Sequence, residues 1–589
     1  MDPPEILLPA TPCLLGSGVC ELTPPQQNGW NLAGHSANGQ RATSSPPSTG
    51  DGHDRTRHGL FATALVVAPR GAAPDPAQTL VLVACDLHSI SGYVFGKVTS
   101  ALSPIPASNI IINATHTHSG FGQFYSSYDD AEKSRPGTTF YDRMTVANHF
   151  LGFDQTHADR VVGGILDAVR SALRDLPEGF FSVSSGFTRG FFSNRSLSAK
   201  ARNDDFGAWS PQHAEGVTSA NTNTKNKHAE TLSPYDRHVD PRIRLFLGVP
   251  AAGGEVAALA SVGCHPTSLG NSVSHYSPDW VGPAKIAAGK AVAEGTGKKM
   301  PAIAILQSCA GDISPLPISG PLAATEERGP GRRPATQGTD LQECVGTGIG
   351  DAVGEMIEFA KKSGEAAEVE AEEEAGGRKR KGKAAKAATP RKKKGSASAT
   401  DAPFIQSATS IWRPTNSAAT PTLPVMGLPT LGGAACGPTD HLYPRLGLGL
   451  PSNTLPSSDP QHPKTPIPGL RLALQTILPG PSALPLTVVV LGGRMIIATV
   501  PGEPTCTVGS RIEARLISEV LNDAPGASCL VLGFCGEYAG YWVTPEEYDE
   551  QLYEGSSQMW GRGAADAMGD ELVALGLEAV GKKTSKPRN

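Results

Sequence analysis

The run NIIINATHTHSGFG, residues 109–122, decides how the chain is read. Ile110, Ile111 and Ile112 form a short apolar strand, and the glycine-containing text after them forms a loop. His116 and His118 stand two residues apart at that junction. Side chains alternate faces along a strand, so this spacing predicts both imidazoles looking into one cavity. Such a pair suits a metal site or an acid–base site, and it needs partners from elsewhere in the chain.

Working outward, GLFATALVVA (59–68), TLVLVACDL (79–87), RIRLFLGV (242–249), EVAALASVGCHP (255–266) and AIAILQSCAGD (302–312) also read as strands. HADRVVGGILDAVRSALRDL (157–176) reads as a helix, with Val161, Val162, Ile165, Val169 and Leu173 on one stripe. Strands interleaved with helices predict an α/β fold: one large multi-layer domain with mixed β-sheets and its site at strand C-terminal ends. A first catalytic part is expected over 14–363 and a second, beginning loop-rich, over 403–580, with a polar tail at 581–589. Between them, 364–402 reads as a charged, disordered insertion. Its basic block RKRKGKAAKAATPRKKK (378–394) is either a solvated run or a patch for nuclear localisation or anionic membranes. Residues 412–470, rich in Pro, Gly, Thr and Ser, read as a long excursion over the surface.

Composition narrows the classes. A net charge of −5 gives no reason to expect specific nucleic-acid binding. The ten cysteines contain no CxxC pair, and several sit inside apolar runs, so buried, reduced thiols are expected. The N-terminus has no basic leader and no apolar run is long enough to span a bilayer, which predicts an intracellular protein, cytoplasmic or membrane-peripheral. Asn113 and Asn194 head glycosylation sequons that read as chance matches.

Three further junctions present polar residues where a strand ends. They are His265 in ASVGCHPTSLG, Glu503 in IIATVPGEPT, and the tyrosines of GEYAGYWVTPEEYDEQLYEG, Tyr541 and Tyr553. Two histidines and a carboxylate from separate junctions fit a catalytic zinc site that leaves a position for water. Singly, each is as well explained by a hydrogen-bonded strand-end histidine or a turn glutamate.

Together these stretches resemble the neutral (non-lysosomal) ceramidases. The resemblance is carried by ATHTHSGFGQ (114–123), FSNRSLSA (192–199), HVDPRIRLF (238–246), GCHPTSLG (263–270), SCAGDISPL (308–316), PGEPTC (501–506) and YWVTPEEYDEQLYEGSSQ (541–558), in the family's order. GSGVCELTPP (16–25) is similar to the family's opening, with Glu21 for its Asp. The resemblance implies a zinc ion held by His116, His265, Glu503 and Tyr541. It further implies His118 at the reacting water or amide, Arg195 at polar head-group oxygens, and Tyr553 on the scissile carbonyl. Ser314 matches an active-site serine, as nucleophile or as positioning hydroxyl, and Asp312 two residues before it could face the same cavity. The implied substrate is ceramide or a related N-acyl lipid. Leu316 replaces the family's Asn, and on this reading the family's immunoglobulin-like C-terminal domain has no counterpart. Two other readings stay open: a zinc hydrolase of the same fold acting on another amide or ester, and a non-catalytic relative that binds lipid or a partner.

Overall fold

The computed structural model describes residues 4–25, 30–34, 42–71 (apart from 43, 47, 49 and 51), 74–131, 152–203, 238–293 (apart from 254, 271 and 272), 302–315, 338–381, 403–414, 425–427, 455–466 (apart from 460) and 483–583. The first strands are β1 (Glu5–Glu21), β2 (Phe61–Pro69), β3 (Leu80–Cys85), β4 (Ile110–Ala114), β5 (Glu178–Phe187) and the two-residue β6 (Ser193–Asn194). They are followed by β7 (Arg242–Pro250), β8 (Ala257–Val262), β9 (Ala302–Gln307), β10 (Ile313–Ser314), β11 (Ile405–Trp412) and β12 (Leu484–Leu491). The last are β13 (Met495–Thr499), β14 (Glu503–Pro504), β15 (Ser528–Leu532) and β16 (Tyr541–Trp542). The helices that matter below are α1 (Gln155–Arg174), α2 (Val281–Ala293), α3 (Thr339–Lys381), α4 (Cys506–Arg515), α5 (Tyr553–Ser557) and α6 (Ala564–Ala579).

Eight strands form one sheet in the order β4-β3-β2-β1-β5-β7-β8-β9, and β11-β12-β13-β15 form a second. The first sheet is antiparallel through its middle and parallel at both ends, β3 with β4 and β8 with β9. The sheets pack face to face through Leu82, Val183, Phe246 and Leu306 against Val489, Ile497 and Leu530. Helix α1 covers one part of the first sheet's outer face with Val161, Ile165 and Val169, and α2 and α3 cover another with Val281, Val345 and Ile349. Helices α4 and α6 cover the second sheet with Val508, Ile512, Met568 and Leu572. The result is four layers, helix–sheet–sheet–helix, which is the mixed α/β architecture expected of the sequence.

The first sheet curls until its two edge strands meet. The Gln307 amide donates to Asn113 Oδ1 at 2.7 Å, and Asn113 Nδ2 donates back to the Gln307 carbonyl at 3.0 Å. Asn113 Nδ2 also reaches the Gly533 carbonyl at 2.7 Å, so the end of β15 joins the same point. Exposed edges carry unpaired backbone groups, and here side-chain amides take the place of a ladder.

The structure departs from the sequence reading at three places. The fold begins at Glu5, not at residue 14, because β1 is a 17-residue strand at the heart of the sheet. Pro9 and Pro12 hide it from a pattern reading. Pro9 falls where the β1–β5 register shifts, the irregular position at which a sheet tolerates proline, and Pro12 pairs with Phe180 just beyond it. Strand β4 stops at Ala114, so His116 and His118 lie beyond it and do not share a strand face. Helix α3 continues to Lys381, into the segment expected to be disordered, while 382–402 lies outside the described residues. All nine described cysteines are free thiols, as expected, and the sequon residues Asn113 and Asn194 are buried.

Helix α1 meets β1 at two glycines. A Cβ on Gly16 would fall 1.9 Å from the Ala172 carbonyl oxygen, and one on Gly18 would fall 2.1 Å from that of Ala168. Gly16→Ala and Gly18→Ala are each expected to destabilise the fold by about 1–3 kcal/mol or more through overpacking. Gly163→Ala, on the same helix with nothing within 4 Å, should be neutral or stabilising by up to about 1 kcal/mol. Thermal unfolding of the three variants checks the contrast.

Candidate active site

Three chain segments deliver the central side chains. His116 follows β4, His265 follows β8, and Glu503 opens β14 after β13. His116 sits at φ 68°, a left-handed conformation unusual for a residue with a side chain. That backbone turn, with the His116 amide bonded to the Leu87 carbonyl at 2.9 Å, aims its ring. Strain of this kind concentrates at functional positions.

Gln307 sets the spacing of the two histidine segments. Its Nε2 donates to the Thr115 carbonyl at 2.9 Å and to the Cys264 carbonyl at 2.7 Å, and its Oε1 accepts from the Cys264 amide at 3.0 Å. One fully buried amide therefore grips the residue before His116 and the residue before His265.

The ring orientations are fixed from behind. His116 Nδ1 faces the His88 carbonyl at 2.7 Å, and His265 Nδ1 faces the carbonyls of Ala310 and Ile313 at 2.7 and 3.0 Å. A carbonyl accepts only, so each Nδ1 carries a proton and each Nε2 is turned into the cluster. Both Nε2 atoms point at one carboxylate oxygen. Glu503 Oε2 lies 3.0 Å from His265 Nε2 and 3.4 Å from His116 Nε2. Burial and the nearby Arg195 charge push the His265 pKa down to about 4. Burial opposes the charge of Glu503, but His116 and His265 outweigh it and hold the carboxyl well below its usual range. Two imidazole nitrogens and one carboxylate oxygen thus converge in a buried cluster. Two imidazole nitrogens and a carboxylate oxygen are the donor set that zinc takes.

Tyr541 arrives by backbone pairing, because β14 and β16 run parallel with Glu503 opposite Tyr541. Its hydroxyl accepts from Arg195 Nη2 at 3.1 Å. Arg195 also bonds Glu554 Oε1 at 2.8 Å and the Gly311 carbonyl at 2.6 Å. Burial works against the Arg195 charge, yet Tyr541, Glu554 and Tyr553 raise its pKa above the usual value. The sequence reading gave Arg195 to head-group oxygens; in the structure its Nε and Nη2 hold protein groups, Tyr541 among them. Tyr553 meets Tyr541 edge-on at 5.3 Å, and burial, with Glu503, pushes its pKa up to about 12. Tyr553 therefore keeps its proton at neutral pH and can donate it in a hydrogen bond.

His118 Nε2 lies 3.2 Å from His116 Nε2, and the chain at Gly34 closes over its ring. Ser314 is half-buried and pairs with Ser193, two residues before Arg195. Asp312 does not face the cluster. It accepts from the Cys506 amide at 2.8 Å at the start of α4, from the Cys506 thiol and from Asn194, so its work is to hold a helix N-terminus.

The sequence reading passed over three neighbours. Tyr538 donates to Glu503 Oε1 at 2.6 Å, although it stood in the quoted tyrosine stretch. His88 packs its ring 4.3 Å from that of His116 and 5.2 Å from that of His118. It follows a strand just as His265 does, one residue past the quoted TLVLVACDL, and that junction signal could have found it. Glu554 pairs with Arg195 from a position that reads as an ordinary helix-start acid.

Two outcomes follow. Gln307→Met removes the partners of Cys264 and Thr115, so it should weaken metal affinity by roughly 10–100-fold while the chain still folds; titration of the apoprotein with zinc measures it. The depressed pKa of His265 makes the metal-free protein acid-sensitive. Its contribution to stability is fully present above about pH 6.5 and is lost as pH falls through about 4, since the unfolded ring binds a proton first. Unfolding of metal-free protein across that window should steepen with acid, and His265→Gln should flatten the dependence.

The neighbours of this chain agree with the geometry. The family model described as neutral/alkaline non-lysosomal ceramidase, N-terminal, matches residues 453–570. Neutral ceramidase A of Dictyostelium discoideum is 24% identical over 97% of this chain and 73% of its own length. The neutral ceramidase of Mycobacterium tuberculosis is 31% identical over a shorter stretch, 24% of this chain and 23% of its own. The crystal structure of the Pseudomonas aeruginosa neutral ceramidase superposes with a TM-score of 0.64 at 21% identity, covering 98% of this chain and 76% of that one. A ceramidase complexed with C2 superposes at 0.65 and 21% identity, over 98% and 77%. Motif order and these likenesses point the same way: residues 453–570 match the neutral/alkaline non-lysosomal ceramidase family model, and over nearly its whole length the chain is similar to neutral ceramidases in sequence and in fold.

Proposed function

We propose that the protein is a zinc-dependent amidohydrolase that cleaves the N-acyl amide of ceramide to a sphingoid base and a free fatty acid. The observation that carries this reading is the buried convergence of two imidazole Nε2 atoms on Glu503 Oε2. His116, His265 and Glu503 would hold the ion, with Tyr541, set beside Glu503 by the β14–β16 pairing, as the fourth ligand. Zinc supplies Lewis acidity there, making water usable as a nucleophile near neutral pH and polarising a carbonyl.

The chain's own groups do the rest. Tyr553, protonated at neutral pH, donates a hydrogen bond to the oxygen on which charge develops. His118, half-buried beside His116, takes up a proton at its ring and returns it to the leaving amine. Arg195, braced by Glu554, fixes the Tyr541 hydroxyl and keeps positive charge beside both tyrosines. Ser314, on the short strand between Arg195 and the His265 support, positions substrate as a hydroxyl. The basic block 378–394 is described only as helix backbone to Lys381 and enters no step.

Purified wild type should contain about one zinc per chain, and His116→Ala and His265→Ala should lose it. Wild type should hydrolyse a fluorescent short-chain ceramide and the two variants should not. Tyr553→Phe should keep its zinc and lose about 10²–10³-fold in kcat, the cost of one oxyanion donor. Zinc with turnover of soluble amides or esters, and none of ceramide, would move the substrate. Folded protein without zinc would overturn the reading.

A further inference from the structure

Lys464 carries its amino group fully buried, within the Pro- and Gly-rich excursion that composition assigns to the surface. Among the described residues its hydrogen bonds all go to backbone carbonyls: Val425 at 2.9 Å, Ser556 at 3.2 Å, and Gln558. The face of Tyr548 lies 5.0 Å from Nζ. Three carbonyls surround the amino group, and its burial, which holds the pKa well below the usual lysine value, is costly. An apolar side chain would fill the space more cheaply, so the contacts themselves need a reason.

The reason lies in what those carbonyls belong to. Ser556 and Gln558 end the turn that begins with Tyr553 in α5. Two pieces of the excursion bind the same short run. The Gly427 amide donates to the Ser556 carbonyl at 2.8 Å, the Val425 amide to the Met559 carbonyl at 2.9 Å, and Gln461 Nε2 to that Met559 carbonyl at 2.8 Å. On its other side the run reaches β16, because Gln558 Oε1 accepts from the Val543 amide at 2.7 Å, two residues past Tyr541. Residues 556–559 are therefore a hub between the two active-site tyrosines, and Lys464 ties the hub to the excursion.

We propose that Lys464 is a positioning residue for Tyr553 and Tyr541, and that the excursion serves as a strap holding their hub rather than as surface decoration. The proposal rests on the amidohydrolase reading for its catalytic consequence. Lys464 touches no substrate in this scheme. It acts through the Ser556 and Gln558 carbonyls, and a displaced tyrosine costs rate more than binding.

The test is Lys464→Met, an unbranched replacement of similar length, read in three ways. Zinc content should stay at the wild-type value. With a fluorescent short-chain ceramide, kcat should fall by roughly 10–100-fold while KM changes little. In the Lys464→Met background, Tyr553→Phe should cost far less than in wild type, because a misplaced tyrosine has little left to lose. Hydrogen exchange supplies a readout independent of turnover: the amides of 553–559 should exchange faster while those of β2 and β3 stay unchanged. If Lys464→Met does not fold, Gln461→Met loosens the same strap at Met559 and should show the same pattern more weakly. Unchanged kcat, additive losses, or faster exchange spread over the whole chain would overturn the proposal. A wild type that turns over no ceramide would sink the amidohydrolase reading alone; local exchange at 553–559 would then still decide for or against Lys464.

Discussion

The candidate site hangs on two buried residues: the Asn113 side-chain amide bonds both the backbone N–H and the carbonyl of Gln307 where the edges of the curled sheet meet. No backbone ladder joins β4 to β9. The Asn113 side-chain amide joins them, since it offers donors and an acceptor in one plane. Closing the gap brings the segment after β4 against the segment after β8, and Gln307 then grips Thr115 and Cys264 directly. The two histidines that follow those residues acquire a fixed separation, with each ring held from behind at Nδ1.

The second sheet adds the negative and phenolic groups. Strand β13 ends just before Glu503, and β15 ends at the Gly533 carbonyl that Asn113 also binds. Both sheets thus terminate at one point. The parallel β14–β16 pair then sets Tyr541 beside Glu503. Behind these residues lies a ring of supports: carbonyls of His88, Ala310 and Ile313 on the imidazoles, Tyr538 on Glu503, and Glu554 on Arg195. Supports of this kind fix tautomer and orientation, so the donor set faces inward before any ion arrives.

Much of the fold was legible. The apolar runs of β2, β3, β7, β8 and β9 and the 3.6-residue stripe of α1 read directly, because burial on one or both faces writes a simple pattern. Strand β1 was not legible, since two prolines and two glycines break its pattern, and the sheet tolerates Pro9 at a register shift and the glycines under α1. The two-histidine spacing drew attention to the right residues for the wrong reason. Strand alternation predicts the shared cavity, whereas the left-handed turn at His116 produces it. The excursion misled in the opposite direction: its composition resembles solvent-exposed loop, yet Lys464 is buried and Gln461 nearly so.

The sequence by itself determined the α/β class, the junctions at His116, His265, Glu503 and Tyr541, and through its ordered motifs the resemblance to the neutral ceramidases. Those are local properties, set by periodicity and by short runs whose residue types are demanding. Only the tertiary structure decided which groups meet. Gln307 binds residues far from it in the chain, Arg195 finds Glu554 and Tyr541 across more than half its length, and Tyr538 rather than a neighbour of Glu503 supports that carboxylate. No sequence spacing encodes such partnerships, because they depend on how far a sheet curls and where two sheets end.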